Sequence, residues 1–369
     1  MAETDLQVRS PRSQVSLRWS ARVPWRRIIL IALSVAVTGF VVIGTWKTLS
    51  LPPDERISGA GWRDLTIIGV ALGSVYALIA LGYSLVYGIL RMINFAHGEV
   101  FMAGAFGSFF FASAYERSGF LDRQPILSTL ILMVAAMAVS VSVALLLERI
   151  CYRPLRNAPR LVPLITAIGA SLFLQNSFAG FFGPDPEGYP RPDALDGRWN
   201  VFGLSVDRMD FVVVVVMIVA VVSLQLFISK TKTGKAMRAV AEDREIASLM
   251  GIDVNRAIVT TFAAGGLLAG VAGVLYAMTF GNVSPFMGFL PGIAAFTAAV
   301  LGGVGSVAGA ALGGLILGVS QAVGPYLLLS GFHVPAPNQI RDVVTLSILV
   351  LVLIFRPGGI LGAGGAEKV

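Results

Sequence analysis

Long apolar runs, separated by short segments in which the charges gather, dominate the chain. The runs lie near residues 28–46, 65–87, 93–114, 126–147, 161–182, 211–229, 257–280, 305–329 and 341–356, with a shorter apolar piece near 289–302. A helix of about 20 apolar residues crosses the hydrocarbon core of a bilayer, and such a helix satisfies its own backbone groups. The pattern therefore predicts an all-α, polytopic bundle of about eight to ten transmembrane helices. A β-barrel needs alternating strands of about ten residues, and the unbroken valines 212–216 do not alternate. The polar stretches divide the chain into a basic tail (1–27), expected to be disordered, a membrane domain (28–356) and a C-terminal tail (357–369).

Composition agrees with this division. The 369 residues are 56% hydrophobic and 13% charged, against roughly 25% charged in soluble domains. One cysteine, Cys151, excludes an internal disulfide, and two histidines, His97 and His333, exclude a His-rich metal site. The net charge of +7 sits between the apolar runs, so it argues for membrane orientation and against nucleic acid. Residues 1–27 carry six basic and two acidic groups, 148–160 four and one, and 230–256 six and four. The loop 183–210 reverses the balance, with six acidic and three basic groups. Lys and Arg accumulate on the cytoplasmic side. Counting crossings then puts the N-terminus and the three basic segments in the cytoplasm and 183–210 outside. The side of the C-terminus depends on whether 289–302 crosses.

Two polar features break the apolar pattern. The first is Asn94, His97 and Glu99 inside "MINFAHGEVFMAGAF" (92–106). A charged group at the centre of a membrane helix costs about 2.5–3.5 kcal/mol on insertion scales. His97 lies six residues beyond Arg91, about 9 Å along a helix axis. At about 100° per residue, Asn94 and His97 are about 60° apart, and Glu99 is about 160° from His97. In one regular helix His97 and Glu99 cannot line the same pore, unless Gly98 marks a break. Two readings stay open: polar glue between helices, with Glu99 paired to an arginine, or lining of the inner end of a pathway.

The second feature is the charged loop "KTKTGKAMRAVAEDREIASLMGIDVNR" (230–256). Residues 235–250 hold no Pro or Gly and predict a short helix outside the bilayer, stopped by Gly251. Its apolar positions, Met237, Val240, Ala241, Ala247, Leu249 and Met250, suit a helix that docks in a partner's groove. A solvated connector is the alternative. No GxxxxGK[ST] phosphate-binding pattern occurs, so the chain offers no P-loop for ATP. Ser229-x-x-Lys232 and Lys232-Thr233-Gly234 match two β-lactamase motifs, but they overlap and no Ser-Asp-Asn box exists, so no catalytic residues are assigned. Glycine pairs four apart (266/270, 305/309, 309/313, 314/318) predict close helix packing in lipid.

The loop with its following span "TFAAGGLLAGVAGVLYAM", the block "MINFAHGEVFMAGAF", the block "GFLPGIAAFTAAVLGGVGSVAGAALGGLILG" and the end "FRPGGILG...EKV" together resemble the LivH-type permease subunit of bacterial ABC importers for branched-chain amino acids. The similarity runs from about residue 65 to 369; residues 1–60 are longer and more basic than in that family. The resemblance implies a non-enzymatic subunit of the bacterial inner membrane. It would work with a second, LivM-type permease, two cytoplasmic ATPases that use the ATP, and a periplasmic solute-binding protein. It implies no cofactor and no metal on this chain. The loop would couple to the ATPases, with Arg238, Glu242, Asp243, Leu249, Gly251 and Asp253 as candidates. Asn94, His97 and Glu99 are the pathway candidates, and leucine, isoleucine and valine the expected cargo. Urea or short amides, carried by related permeases, are the alternative; a stand-alone secondary transporter or channel would lack the coupling loop's purpose.

Overall fold

The computed structural model describes residues 25–156, 158–159, 161–201 and 204–362. Most of the expected basic tail, and residues 363–369 of the C-terminal tail, lie outside the described residues. The chain forms α1 (Trp25–Leu49), α2 (Gly59–Leu90), α3 (His97–Arg117), α4 (Phe120–Arg123), α5 (Pro125–Leu147), α6 (Leu161–Phe182), α7 (Arg208–Lys230), α8 (Lys232–Glu242), α9 (Arg244–Leu249), α10 (Val254–Phe280), α11 (Phe289–Gly302), α12 (Val307–Leu329) and α13 (Arg341–Phe355). Four short strands, β1 (Glu187–Gly188), β2 (Arg198–Val201), β3 (Leu204–Asp207) and β4 (Asn282–Val283), form two small antiparallel pairs, β1–β4 and β2–β3.

Among the described residues, eight helical segments are long and apolar enough to span a membrane. The chain is a multi-pass membrane protein. To these spans are added α3, of 21 residues, and α11, of 14. α11 is the piece expected at 289–302. It starts beside Gly98 inside the bundle, six residues after β4, and ends where Ile360 and Leu361 donate to the carbonyls of Leu301 and Gly302. At 14 residues, about 21 Å, it is shorter than a full crossing, and residues 357–362 fold back on its end instead of leaving as a tail.

Glycine makes the centre of the bundle dense. A Cβ built on Gly314 lies 2.6 Å from the Ala77 backbone, and one on Gly73 lies 2.7 Å from the Gly314 carbonyl, so α2 and α12 run almost backbone to backbone. Gly266 and Gly270 do the same for α10 against α5, at 2.9 Å from Ala144 Cβ and 2.7 Å from the Ala136 carbonyl. In lipid, packing of this kind drives association where hydrophobicity cannot. One expected pair fails. Gly305 stands before α12 at φ +90°, in the turn that starts with Gly303, so 305/309 is no helical stripe. α1 and α13 lie at the rim, with only 6% of their apolar windows buried.

The ends differ in charge. The acidic segment 183–207 caps one end: Asp122 accepts from the Asp193 amide at 2.8 Å, and Arg198 faces Asp64 at 3.9 Å. The other end gathers the basic segments 148–156 and 230–256, where Arg156 bonds Glu148 and Asn255 and Arg244 reaches the end of α2.

Candidate functional site

α2 and α3 do not run on into each other. α2 stops at Leu90, and Arg91, in the left-handed region at φ 53°, closes it by donating its amide to the Tyr87 carbonyl at 2.7 Å. The chain then doubles back through residues 92–96. α3 begins at His97, whose amide bonds the Asn94 carbonyl at 3.1 Å. The continuous helix expected over 93–114 is therefore corrected: Asn94 lies in the linker, and the 60° angle between Asn94 and His97 has no meaning here. The break precedes His97 instead of falling at Gly98. The rise-per-residue depth of His97 loses its basis, since residues 91–96 are not helical; His97 instead packs against Gly82, eight residues before the end of α2, or about 12 Å from it.

The three polar residues go to three different neighbours. Asn94, 3% exposed, accepts through Oδ1 from the Tyr152 hydroxyl at 2.6 Å. His97, 2% exposed, slots between Gly82 and Gly265 and meets the Tyr83 ring edge-on at 4.9 Å. Glu99, 1% exposed, accepts through Oε1 from Ser171 Oγ at 3.0 Å and Gln175 Nε2 at 2.7 Å. The expected arginine partner is thus replaced by neutral donors on α6, one helical turn apart. Gly98 touches a second helix start: its added Cβ would lie 3.2 Å from the Gly292 Cα at the head of α11. Two helices, α3 and α11, hence begin side by side inside the bundle, the broken-helix geometry found beside transport pathways. Tyr83, Tyr152, Ser171 and Gln175 were not among the sequence candidates. Tyr83, Ser171 and Gln175 sit in apolar runs and Tyr152 in the basic segment 148–160, and only tertiary contact distinguishes them.

The end that carries the basic loop 230–256 holds the second candidate region. The single helix expected over 235–250 is two, α8 and α9, joined at Asp243. Its carboxylate caps α9 by accepting from the amides of Glu245 and Ile246 at 2.8 and 2.9 Å. Thr231 caps α8 through the Gly234 amide at 2.9 Å, and Asp253 caps α10 through Arg256 at 3.0 Å. An oxygen at a helix N-cap satisfies donors the helix cannot, so two of the coupling candidates, Asp243 and Asp253, shape the loop. Gly251, at φ +79°, makes the turn out of α9. Glu242 and Asp243 line a cleft of about 390 Å³ with Arg91, Arg156 and Arg244; Arg238 lines a neighbouring one of about 310 Å³ beside Gly305.

The apolar residues of this loop divide. Met237, Val240 and Ala247 turn inward and are buried, whereas Ile246, Leu249 and Met250 are 60%, 87% and 77% exposed. Arg244 ties α9 to the bundle, donating from Nη2 to the Ile89 carbonyl at 2.6 Å. Burial, with Arg156 and Arg91 close by, lowers its pKa from the ordinary arginine value. Ile246 and Arg244 went unnoticed in the sequence. A cation at the first residue of a helix opposes the helix dipole, and that mismatch is the signal that would have found Arg244.

With this geometry in view, similarity to known proteins is informative. Residues 65–353 match the family described as branched-chain amino acid transport system / permease component. The chain belongs to that family. It is 45% identical over 310 residues to the high-affinity branched-chain amino acid transport system permease protein BraD of Pseudomonas aeruginosa, covering 82% of this chain and 96% of BraD. It is 43% identical over 306 residues to the LivH permease of the same kind of system in Escherichia coli, with the same coverage. The E. coli LivM permease is 28% identical over 317 residues, 80% of this chain and 70% of LivM. These relatives are all named as permeases of branched-chain amino acid transport systems.

Proposed function

We propose that the chain forms, with a second LivM-type permease, the membrane pathway of an ATP-driven importer for leucine, isoleucine and valine. A periplasmic binding protein delivers the amino acid, and two separate cytoplasmic ATPases hydrolyse the ATP. The protein resides in the bacterial inner membrane, with its N-terminus and the α8–α9 pair in the cytoplasm. The observation that carries this reading is near-full-length similarity to BraD and LivH in a chain whose inner end leaves Ile246, Leu249 and Met250 uncovered. Those three side chains dock on the ATPase, while Arg238, Glu242, Asp243, Gly251 and Asp253 line or shape the docking helices. Asn94, His97 and Glu99 border the pathway where α3 and α11 start.

The test is reconstitution with both permeases, the ATPases and the binding protein in liposomes. Leucine uptake that requires ATP and all partners is the expected outcome; uptake of urea or short amides in place of leucine overturns the cargo. Cysteines placed in 183–201 report the orientation, and labelling of them only from the cytoplasmic side overturns it.

A further inference from the structure

At the end of the bundle capped by 183–207, five charged side chains surround a cavity of about 240 Å³. They are Asp64 on α2, Arg191 and Arg198 on the capping segment, and Asp207 and Asp210 at the head of α7. Their charges are incompletely spent on one another. Arg198 stands 3.9 Å from Asp64, beyond hydrogen-bond reach. Arg191 pairs with Asp196, outside the cavity wall, and a guanidinium keeps further donors after one such pair. Asp207 caps α7 through the Met209 amide at 2.9 Å. Among the described residues, no cation pairs with the Asp210 carboxylate.

A second cavity, of about 180 Å³, adjoins the first and shares Ile67 and Asp210 with it. Its other walls, Thr66, Val70, Val206, Phe211 and Val214, are almost wholly apolar. Ile67 and Val70 lie three residues apart on α2, and Asp210 and Val214 four apart on α7. The groove therefore follows the seam between these two helices, away from the charges. Lipid has access to it: only 17% of the apolar window of α7 is buried, and Phe211 on the groove wall is exposed. The 23 residues of α7 extend about 34 Å, against a hydrocarbon core of about 30 Å. Asp210, in the first turn, sits at headgroup level, and Val214 one turn deeper reaches the hydrocarbon.

Charged groups of both signs above an apolar groove match the two parts of a phospholipid, and the mixture of signs selects among headgroups. Guanidinium groups bind phosphate, and an ammonium brings three donors to carboxylates. We propose that this site binds a phospholipid whose headgroup carries a primary ammonium beside its phosphate. Arg191 and Arg198 take the phosphate, Asp64 and Asp210 take the ammonium, and an acyl chain lies in the groove between α2 and α7. The assignment requires that the chain sit in a bilayer and is independent of what it transports. A free amino acid also carries an ammonium beside an anionic group, and the test separates the two sources.

The experiment titrates the delipidated full-length protein in detergent with phosphatidylethanolamine, phosphatidylcholine or phosphatidylglycerol of identical acyl chains, or with L-leucine. Native mass spectrometry counts bound lipid, and thermal unfolding follows its effect. The ammonium of phosphatidylcholine is methylated and has no N–H, and phosphatidylglycerol has no ammonium. Phosphatidylethanolamine is expected to bind and to raise Tm at a concentration about tenfold or more below either of the others, as the loss of a charge-assisted hydrogen bond requires. Leucine leaves Tm and bound lipid unchanged. In Asp210→Asn the binding of phosphatidylethanolamine falls to that of phosphatidylcholine, which itself is unaltered. Val214→Trp fills the groove and weakens all three lipids. Equal binding of the three lipids by the wild-type protein, or a preference for phosphatidylglycerol, overturns the proposal. So does displacement of lipid by leucine, a preference for phosphatidylethanolamine that survives Asp210→Asn, or unaltered lipid binding in Val214→Trp. Should Asp210→Asn fail to fold, Asp64→Asn on the opposite wall replaces it, with the same loss of preference expected.

Discussion

Glu99 and Arg244 are both charged residues in the first turn of a helix, and the two surroundings treat them differently. Glu99 complements the dipole of α3, is 1% exposed, and is held by neutral donors more than seventy residues away in sequence. Arg244 opposes the dipole of α9 and finds relief at the opposite pole, the C-terminal carbonyl of Ile89 on α2. The centre of the bundle is thus assembled by distant partners and close backbones. The loop end with α8 and α9 is assembled by local caps around one long-range tether. A change at the centre should damage the whole bundle, and a change at the loop end should damage only what the loop does.

The largest expected effect tests the first half of that contrast. In Gly98→Leu the new Cβ meets the Gly288 carbonyl and the Gly292 Cα, both backbone. Neither can move as a side chain would. Overpacking of this kind costs on the order of 3 kcal/mol, and thermal unfolding with membrane yield should both fall. Gly251→Leu is the matched control. No atom lies within 4 Å of its added Cβ, and only the left-handed backbone is strained, by about 1–2 kcal/mol. Equal losses in the two variants would erase the distinction between the regions.

Leu249→Asp sharpens the second half. The side chain is 87% exposed, and a surface substitution usually moves stability within about 0.5 kcal/mol. Uptake should nonetheless drop at least tenfold, because on the proposed docking a charge would enter the apolar contact with the ATPase. Measured in proteoliposomes beside ATP hydrolysis, normal coupled uptake would count against docking through this edge.

Much of this contrast was legible in the sequence, and the division has a physical cause. Span number and the two charged ends follow from hydropathy and charge counts, which are local quantities. The stop at Gly251 likewise follows from one residue's conformational range. The gap between the runs 65–87 and 93–114 already marks the break after Leu90, but its extension through Asn94 to His97 did not follow, because residues 92–96 contain neither proline nor glycine. The helix ends there because Asn94 and Glu99 find Tyr152, Ser171 and Gln175, contacts no local pattern encodes. The split of the loop at Asp243 was locally encoded and was missed: an aspartate two and three residues ahead of the amides it caps is an N-terminus signal, obscured by the strong helix formers on both sides.

Tyr152→Phe has a smaller effect, and it falls at the centre. It leaves Asn94 Oδ1 buried without the hydroxyl that now donates at 2.6 Å. An orphaned buried acceptor costs about 1–3 kcal/mol, so Tm should fall while the loop keeps its shape. Asn94→Leu in the same background should recover part of the loss, since removing both partners is milder than removing one. Failure of that rescue would mean that Asn94 serves something other than Tyr152.

Asp243→Ala is the mildest change and the most local. It deletes the cap that holds the amides of Glu245 and Ile246, a loss of about 1 kcal/mol to a helix of six residues. Such a short helix has little else to hold it beyond Arg244 and the buried Ala247, so α9 should fray. The transmembrane bundle, which shares none of these bonds, should melt at an unchanged temperature. Hydrogen exchange on residues 244–250 reports the fraying, and coupled uptake should fall with it. Asp243→Ser, which restores a capping oxygen without the charge, separates the two roles this residue can have: recovery of protection and uptake together assigns it to the cap. Recovery of protection without uptake assigns its charge to contact with the ATPase across the cleft it shares with Glu242 and Arg244.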